Sequence, residues 1–147
     1  VKLAIATDHA GFDFKEALGA FLRKEGHALE DLGTYNREPC DYPDYAERLG
    51  KHVAEGKSEF GILICGSGIG MSIAANKIAG VRAGLCHDLY TARMSRSHND
   101  CNVLVLPSRL LALTISQEMT QLFLATPFEG GRHCARVDKI MRLDACG

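Results

Sequence analysis

One thiol stands where an apolar run breaks into alternating glycines, in Ile62-Leu63-Ile64-Cys65-Gly66-Ser67-Gly68-Ile69-Gly70-Met71-Ser72. Glycine at every second position lets backbone N–H groups turn inward without Cβ clashes. The helix predicted to follow adds its own free N–H groups and the positive end of its dipole. Such a loop holds negative charge. A helix N-terminus also lowers the pKa of a neighbouring thiol, so Cys65 is expected to favour thiolate. A thiolate beside oxyanion donors is suited to removing a proton from a carbon next to a carbonyl, with the donors stabilising the enediolate. On this motif alone, a tight turn around a buried structural cysteine explains the residues about as well.

Spacing removes several other chemistries. The dinucleotide fingerprint GxGxxG, started at Gly66, needs glycine where Met71 stands, and no GxxxxGK[ST] phosphate loop is present. Met71 also occupies the place of the arginine that a cysteine-dependent phosphatase needs, and Gly68 defeats a CxxC reading. The six cysteines form no CxxC pair and share no zinc-like spacing with histidine. They read as thiols of a reducing compartment, so cytoplasmic is the expected location, with no metal and no cofactor.

Further candidates flank predicted strands. His98, in Ser97-His98-Asn99-Asp100, carries an imidazole able to give and take a proton near neutrality, although a lone histidine is also commonly structural. Asp8 and His9 end the first apolar run, where Asp8 equally suits a helix cap. Arg109 follows Pro107-Ser108. Arg132 and Arg136 share one face of the last helix, either as a fork for a phosphate dianion or as a solvated basic face. Arg23, Arg48, Arg82, Arg93 and Arg96 read as solvent-facing charges. His27, His52 and His87 read as surface or structural residues, and His133 is undecided.

The elements that must position these groups alternate along the chain. Strands are predicted at Leu3–Thr7, His27–Leu32, Phe60–Cys65, Val81–Cys86 and Asn102–Leu106. Helices are predicted over 12–25, 45–55, 71–79, 88–97, from Ser108 as cap to about Ala125, and over 132–143, with residues 144–147 frayed. The pattern implies an α/β fold: a five-stranded parallel sheet with helices on both faces, in the three-layer Rossmann-like manner, as one domain over 1–147. Ligands in such folds sit beyond the carboxyl ends of the strands. Seventeen basic and 18 acidic side chains leave a net charge of −1, so no basic surface argues for nucleic acid. No apolar run approaches the roughly 20 residues of a membrane span, and the first residues lack the apolar stretch of a signal peptide.

Six stretches together carry a more specific signal: Asp8-His9-Ala10-Gly11-Phe12, Asp41-Tyr42-Pro43, Gly61 to Gly70, Ser72-Ile73-Ala74-Ala75-Asn76-Lys77, Ser97-His98-Asn99-Asp100 and Glu129-Gly130-Gly131-Arg132-His133. In these the chain resembles the type B ribose-5-phosphate isomerases and their relatives acting on galactose 6-phosphate and allose 6-phosphate. The resemblance implies an aldose–ketose isomerase of the pentose phosphate pathway that interconverts ribose 5-phosphate and ribulose 5-phosphate through a cis-enediolate, or else acts on a six-carbon sugar phosphate. It implies Cys65 as the base, Ser67 and the Gly66, Gly68, Ile69 and Gly70 backbone at the enediolate, and His98 as the ring-opening acid/base. Asp8, His9, Tyr42 and Asn99 would touch the sugar, and Arg109, Arg132 and Arg136 the phosphate. It further implies a homodimer, or a tetramer, with the last helix extending to a partner subunit's site. From other classes, a non-catalytic nucleotide-binding module and a thiol redox protein remain as alternatives.

Overall fold

The computed structural model describes residues 1–146, and for 145 and 146 the backbone alone. Along the chain run β1 (Lys2–Thr7), α1 (Phe12–Lys24), β2 (Ala28–Asp31), α2 (Tyr42–Ala54), β3 (Phe60–Cys65), α3 (Ile69–Asn76), β4 (Ala83–Leu85), α4 (Leu89–Ser97), β5 (Val103–Pro107), α5 (Leu113–Ala125) and α6 (Arg132–Arg142). The strands form one parallel sheet in the order β2-β1-β3-β5-β4. This is the expected α/β arrangement. Strand order reverses between β1 and β3, so the ends of those two strands flank the crevice where such sheets bind ligands.

Side chains alternate across the strands and divide the core in two. Leu3, Ile5, Ile62, Ile64, Leu104 and Leu106 pack against Leu18 and Leu22 of α1, Ala92 of α4, and Met119 and Phe123 of α5. Ala4, Ala6, Leu63, Val103 and Val105 pack against Ala46, Leu49 and Val53 of α2 and Met71 and Ala75 of α3. The second face is built from smaller residues, so its helices lie close. A Cβ on Gly61 would run into the side chains of Leu49 and Val53.

Several boundaries differ from the sequence expectation, each for a local reason. α2 begins at Tyr42, not Tyr45, because Pro43 takes one of the first helical positions, where its missing N–H costs nothing. α5 begins at Leu113 rather than after Ser108. Ser108 is not its cap: the Ser108 hydroxyl reaches the Cys65 carbonyl at 3.3 Å, and Leu110 and Leu111 N–H both fold back onto the Pro107 carbonyl. β4 keeps only Ala83–Leu85 of the expected strand. The frayed end expected at 144–147 reaches Gly147, outside the described residues. Before it, Leu143–Cys146 form a 3-10 turn in which Asp144 accepts the Gly80 N–H at 2.8 Å.

Arg96 is the clearest departure, since it is buried rather than solvent-facing. Its guanidinium lies over the rings of Phe60 and Phe123, which themselves meet edge to face. It donates to the Cys101 and Thr126 carbonyls at 2.7 and 3.3 Å and pairs with Asp100 at 2.8 Å. Asp100, with a positive φ of 49°, turns the chain from α4 into β5, and Arg82 bonds its carbonyl at 2.7 Å. This cluster fixes the segment that carries His98 and Asn99. Replacing Arg96 with Met strands two carbonyls and one carboxylate, and is expected to cost about 2–4 kcal/mol of stability in urea denaturation. A loss near zero would contradict this account.

Candidate active site

The site is assembled at the carboxyl ends of β1 and β3. Thr7 closes β1, and its hydroxyl bonds the Ile64 carbonyl at 2.9 Å, which ties the two strand ends together. Asp8 follows. One carboxylate oxygen accepts the N–H groups of Ala10 and Gly11 at 3.1 and 3.3 Å, capping the 3-10 turn His9–Gly11. The other oxygen accepts the Cys65 S–H at 3.3 Å. Asp8 thus serves both as the cap and as a partner of the thiol. Gly11 must be glycine, because a Cβ there would strike Thr7 Oγ1 and Ile64 Cγ2. That close approach lets the turn sit against β3.

After Cys65 the chain makes the expected anion-holding loop. Gly68, at φ 79°, sits in the left-handed region, and a Cβ there would meet Leu85 at 2.6 Å. The Arg109 guanidinium lies 3.2 Å from where a Gly66 Cβ would be, and the Tyr42 ring occupies the same place at Gly70. The loop therefore packs its backbone directly under one cation and one phenol. The Ser67 hydroxyl is exposed and accepts the Ile69 N–H at 3.3 Å. On the other side, His9 Nδ1 accepts the Cys40 N–H at 3.1 Å. That bond leaves the proton of a neutral His9 on Nε2. Cys40 was not legible as a site residue, since nothing in its spacing links it to His9.

One expectation is reversed. The helix end was expected to lower the Cys65 pKa, and the N–H groups of Gly66 and Gly68 do act in that direction. Burial and the neighbouring Asp8 carboxylate outweigh them and push the thiol up to about 11. At rest Cys65 is a thiol that donates to Asp8.

The structure brings Asp8, His9, Tyr42, Cys65, Ser67, the loop backbone and Arg109 to one end of the sheet. It does not bring His98, Asn99, Arg132 or Arg136 there. α4 returns from the carboxyl end of β4 to the amino end of β5, so His98 caps its far terminus. Cys65 is level with Pro107 and His98 precedes Val103. That alone separates the two by roughly 13 Å along the strand direction. His98 instead stacks on His133, with ring centroids 4.2 Å apart and planes at 16°. Both imidazoles face Glu129, at 3.7 and 3.4 Å. Glu129 is not among the site residues expected from the sequence, and His133 is open there. Arg132 and Arg136 are exposed on α6, which is held to its own chain by the buried His133 and by Met141, whose Sδ lies 3.3 Å from Arg82. Asn99 borders a groove of about 550 Å3 between β4, α4 and α6, lined by Leu85, Met94, Ile140 and Met141, which contains none of the Cys65 cluster. No helix among the described residues is long and apolar enough to cross a membrane.

Comparisons with known proteins agree with this fold. The family model described as Ribose/Galactose Isomerase matches residues 3–140. The chain is 44% identical to the ribose-5-phosphate isomerase B of Escherichia coli over 97% of its own length and 96% of that protein. It superimposes on a ribose 5-phosphate isomerase from Thermotoga maritima with a TM-score of 0.95 at 48% identity, covering 97% of this chain and 98% of that one. The ribose-5-phosphate isomerase B of Mycoplasma genitalium, solved with bound ribulose-5-phosphate, gives a TM-score of 0.93 at 38% identity, with 98% and 96% covered.

The raised thiol pKa sets a chemical test. Alkylation of Cys65 by iodoacetamide, followed by peptide mapping, should accelerate about tenfold per pH unit from pH 7 to 9 without levelling. Asp8→Asn removes one of the causes that raise the pKa and should speed alkylation at any fixed pH. A wild-type plateau near pH 8 would mean the thiolate forms more readily than this environment allows.

Proposed function

We propose, for a chain that belongs to the ribose/galactose isomerase family, that it interconverts D-ribose 5-phosphate and D-ribulose 5-phosphate with the Cys65–Asp8 pair as its proton shuttle. The observation that carries this reading is the thiol, hydrogen-bonded to a buried carboxylate, beside the N–H groups of Gly66 and Gly68. The resting thiol is too weak an acid to act alone. Asp8 takes its proton as the open-chain aldose enters. The thiolate then removes the proton at C2, and the electron pair moves through C2–C1 onto the carbonyl oxygen, giving the enediolate. Loop N–H groups hold that oxygen. The thiol returns the proton to C1 while the C2 hydroxyl gives up its proton and the C1 oxygen gains one, so C2 becomes the carbonyl of the ketose, and Asp8 hands its proton back to the thiolate.

His9, with its proton on Nε2, supplies a donor to a sugar oxygen, and Tyr42 closes the pocket over Gly70. Arg109 faces the phosphate. His98 opens the furanose ring by moving the proton of the anomeric hydroxyl to the ring oxygen, with Asn99 on the sugar hydroxyls. His98 and Asn99 lie at the far end of their own sheet, so in this reading they come from a second copy of the chain, as do Arg132 and Arg136. The functional unit is then at least a homodimer.

Cys65→Ala is expected to slow isomerisation by about 100-fold or more while ribulose 5-phosphate still binds in calorimetry. Unchanged turnover would sink the shuttle. Faster turnover of allose 6-phosphate or galactose 6-phosphate than of ribose 5-phosphate would move the substrate to six carbons. Arg136→Ala should raise KM more than it lowers kcat, because phosphate binding is shared by ground and transition states.

A further inference from the structure

We propose that His98, Glu129 and His133 form a site for a divalent transition metal of the zinc class, and that filling it stops isomerisation by engaging His98. The second half rests on the catalytic reading of His98 given above. The first half rests on geometry alone.

His98 comes from one part of the chain and Glu129 and His133, four residues apart, from another, and the fold brings the two parts together. His98 caps α4, Glu129 donates its N–H to the Ser97 carbonyl at 3.0 Å, and His133 lies in the first turn of α6. Nε2 of His133 lies 3.4 Å and Nε2 of His98 lies 3.7 Å from the same Glu129 oxygen, Oε2. One ligand atom from each residue falls within 4.8 Å of the others. A tetrahedral ion with bonds near 2.1 Å sets its ligand atoms about 3.4 Å apart, so two edges of the tetrahedron are already close to length.

Two imidazole nitrogens and one carboxylate oxygen suit zinc and its neighbours, with a fourth position left for water. They do not suit calcium or magnesium, which prefer a fuller oxygen shell. The two rings lie in nearly parallel planes, 16° apart with centroids at 4.2 Å, and a bound ion sits in the plane of each imidazole it meets, so one ring must turn for both to meet a single ion. The His133 side chain is buried at 8% exposure, whereas that of His98 is 35% exposed. The turn therefore falls to His98. Metal capture both occupies its Nε2 and rotates it from its resting pose. Exposed Arg132 and Arg136 on the same helix oppose a dication, which makes this a weaker, reversible site than a structural zinc centre.

Cobalt(II) reports the ligands directly. The intact protein, stripped with chelator and kept reduced, should bind one Co2+ per chain with weak visible bands and no strong sulfur-to-metal charge-transfer band. His133→Asn should weaken binding roughly tenfold or more, while Cys134→Ser and Cys65→Ala leave it unchanged. Exposed Glu129 gives a second variant safe for folding, and Glu129→Gln should weaken binding in the same direction. Zn2+ should inhibit ribose 5-phosphate isomerisation, EDTA should restore it, and the inhibiting concentration should rise in His133→Asn relative to that variant's own metal-free rate. An intense charge-transfer band, or binding indifferent to His133→Asn and Glu129→Gln, would overturn the site. Co2+ bound at the cluster with full activity would leave the site standing, overturn the shut-down and count against a catalytic His98.

Discussion

The carboxylate of Asp8 is the constraint on which the rest of the site depends. One of its oxygens is committed to the backbone of the turn after β1, and the other accepts the thiol at the end of β3. Such an arrangement is possible only where two parallel strands end side by side and their following segments diverge. The β1–β3 junction is that place in this sheet. The Thr7 hydroxyl on the Ile64 carbonyl and the absence of a side chain at Gly11 hold the two ends in contact. Burial, which drives the sheet together, also raises the cost of a thiolate. Burial and Asp8 together make Cys65 a reluctant acid, and the same geometry sets beside it the carboxylate that takes its proton in the proposed mechanism.

The same sheet imposes a second constraint. Helices in a parallel α/β fold return the chain from the carboxyl ends of the strands to their amino ends. Groups placed before β5, such as His98 and Asn99, are therefore carried away from groups placed after β3. Reaction chemistry at Cys65 and acid–base chemistry at His98 belong to one active site only if two copies meet end to side. The cluster built on Arg96 and Asp100 makes the His98 segment firm without any ligand. In the proposed mechanism this firm segment is the half-site that one subunit would lend to another.

Much of this was legible in the sequence. Strands such as Phe60–Cys65 and Val103–Pro107 are unbroken apolar runs stopped by glycine or proline, and buried parallel strands read in that way. The loop after Cys65 was legible because its glycines answer to local needs: a left-handed φ at Gly68 and close cover at Gly66 and Gly70. What failed depended on distant partners. The thiol pKa was read from the helix end beside it, while the opposing carboxylate lies 57 residues earlier. Arg96 looked like a surface charge because the carbonyls and rings that bury it come from Cys101, Thr126, Phe60 and Phe123. Glu129 lay in one of the recognisable stretches and four residues before His133, but no role attached to it until the fold brought His98 beside that pair.

Mixing two inactive variants tests the shared site most directly. Cys65→Ala and His98→Asn chains, each nearly inactive alone, are unfolded, combined in equal amounts and refolded. If Cys65 of one chain works with His98 of another, random pairing into dimers gives each mixed dimer one intact site and restores roughly a quarter of the wild-type rate. A mixture as inactive as its parents, with mixed dimers demonstrated by native mass spectrometry, would contradict the account and return both residues to a single chain.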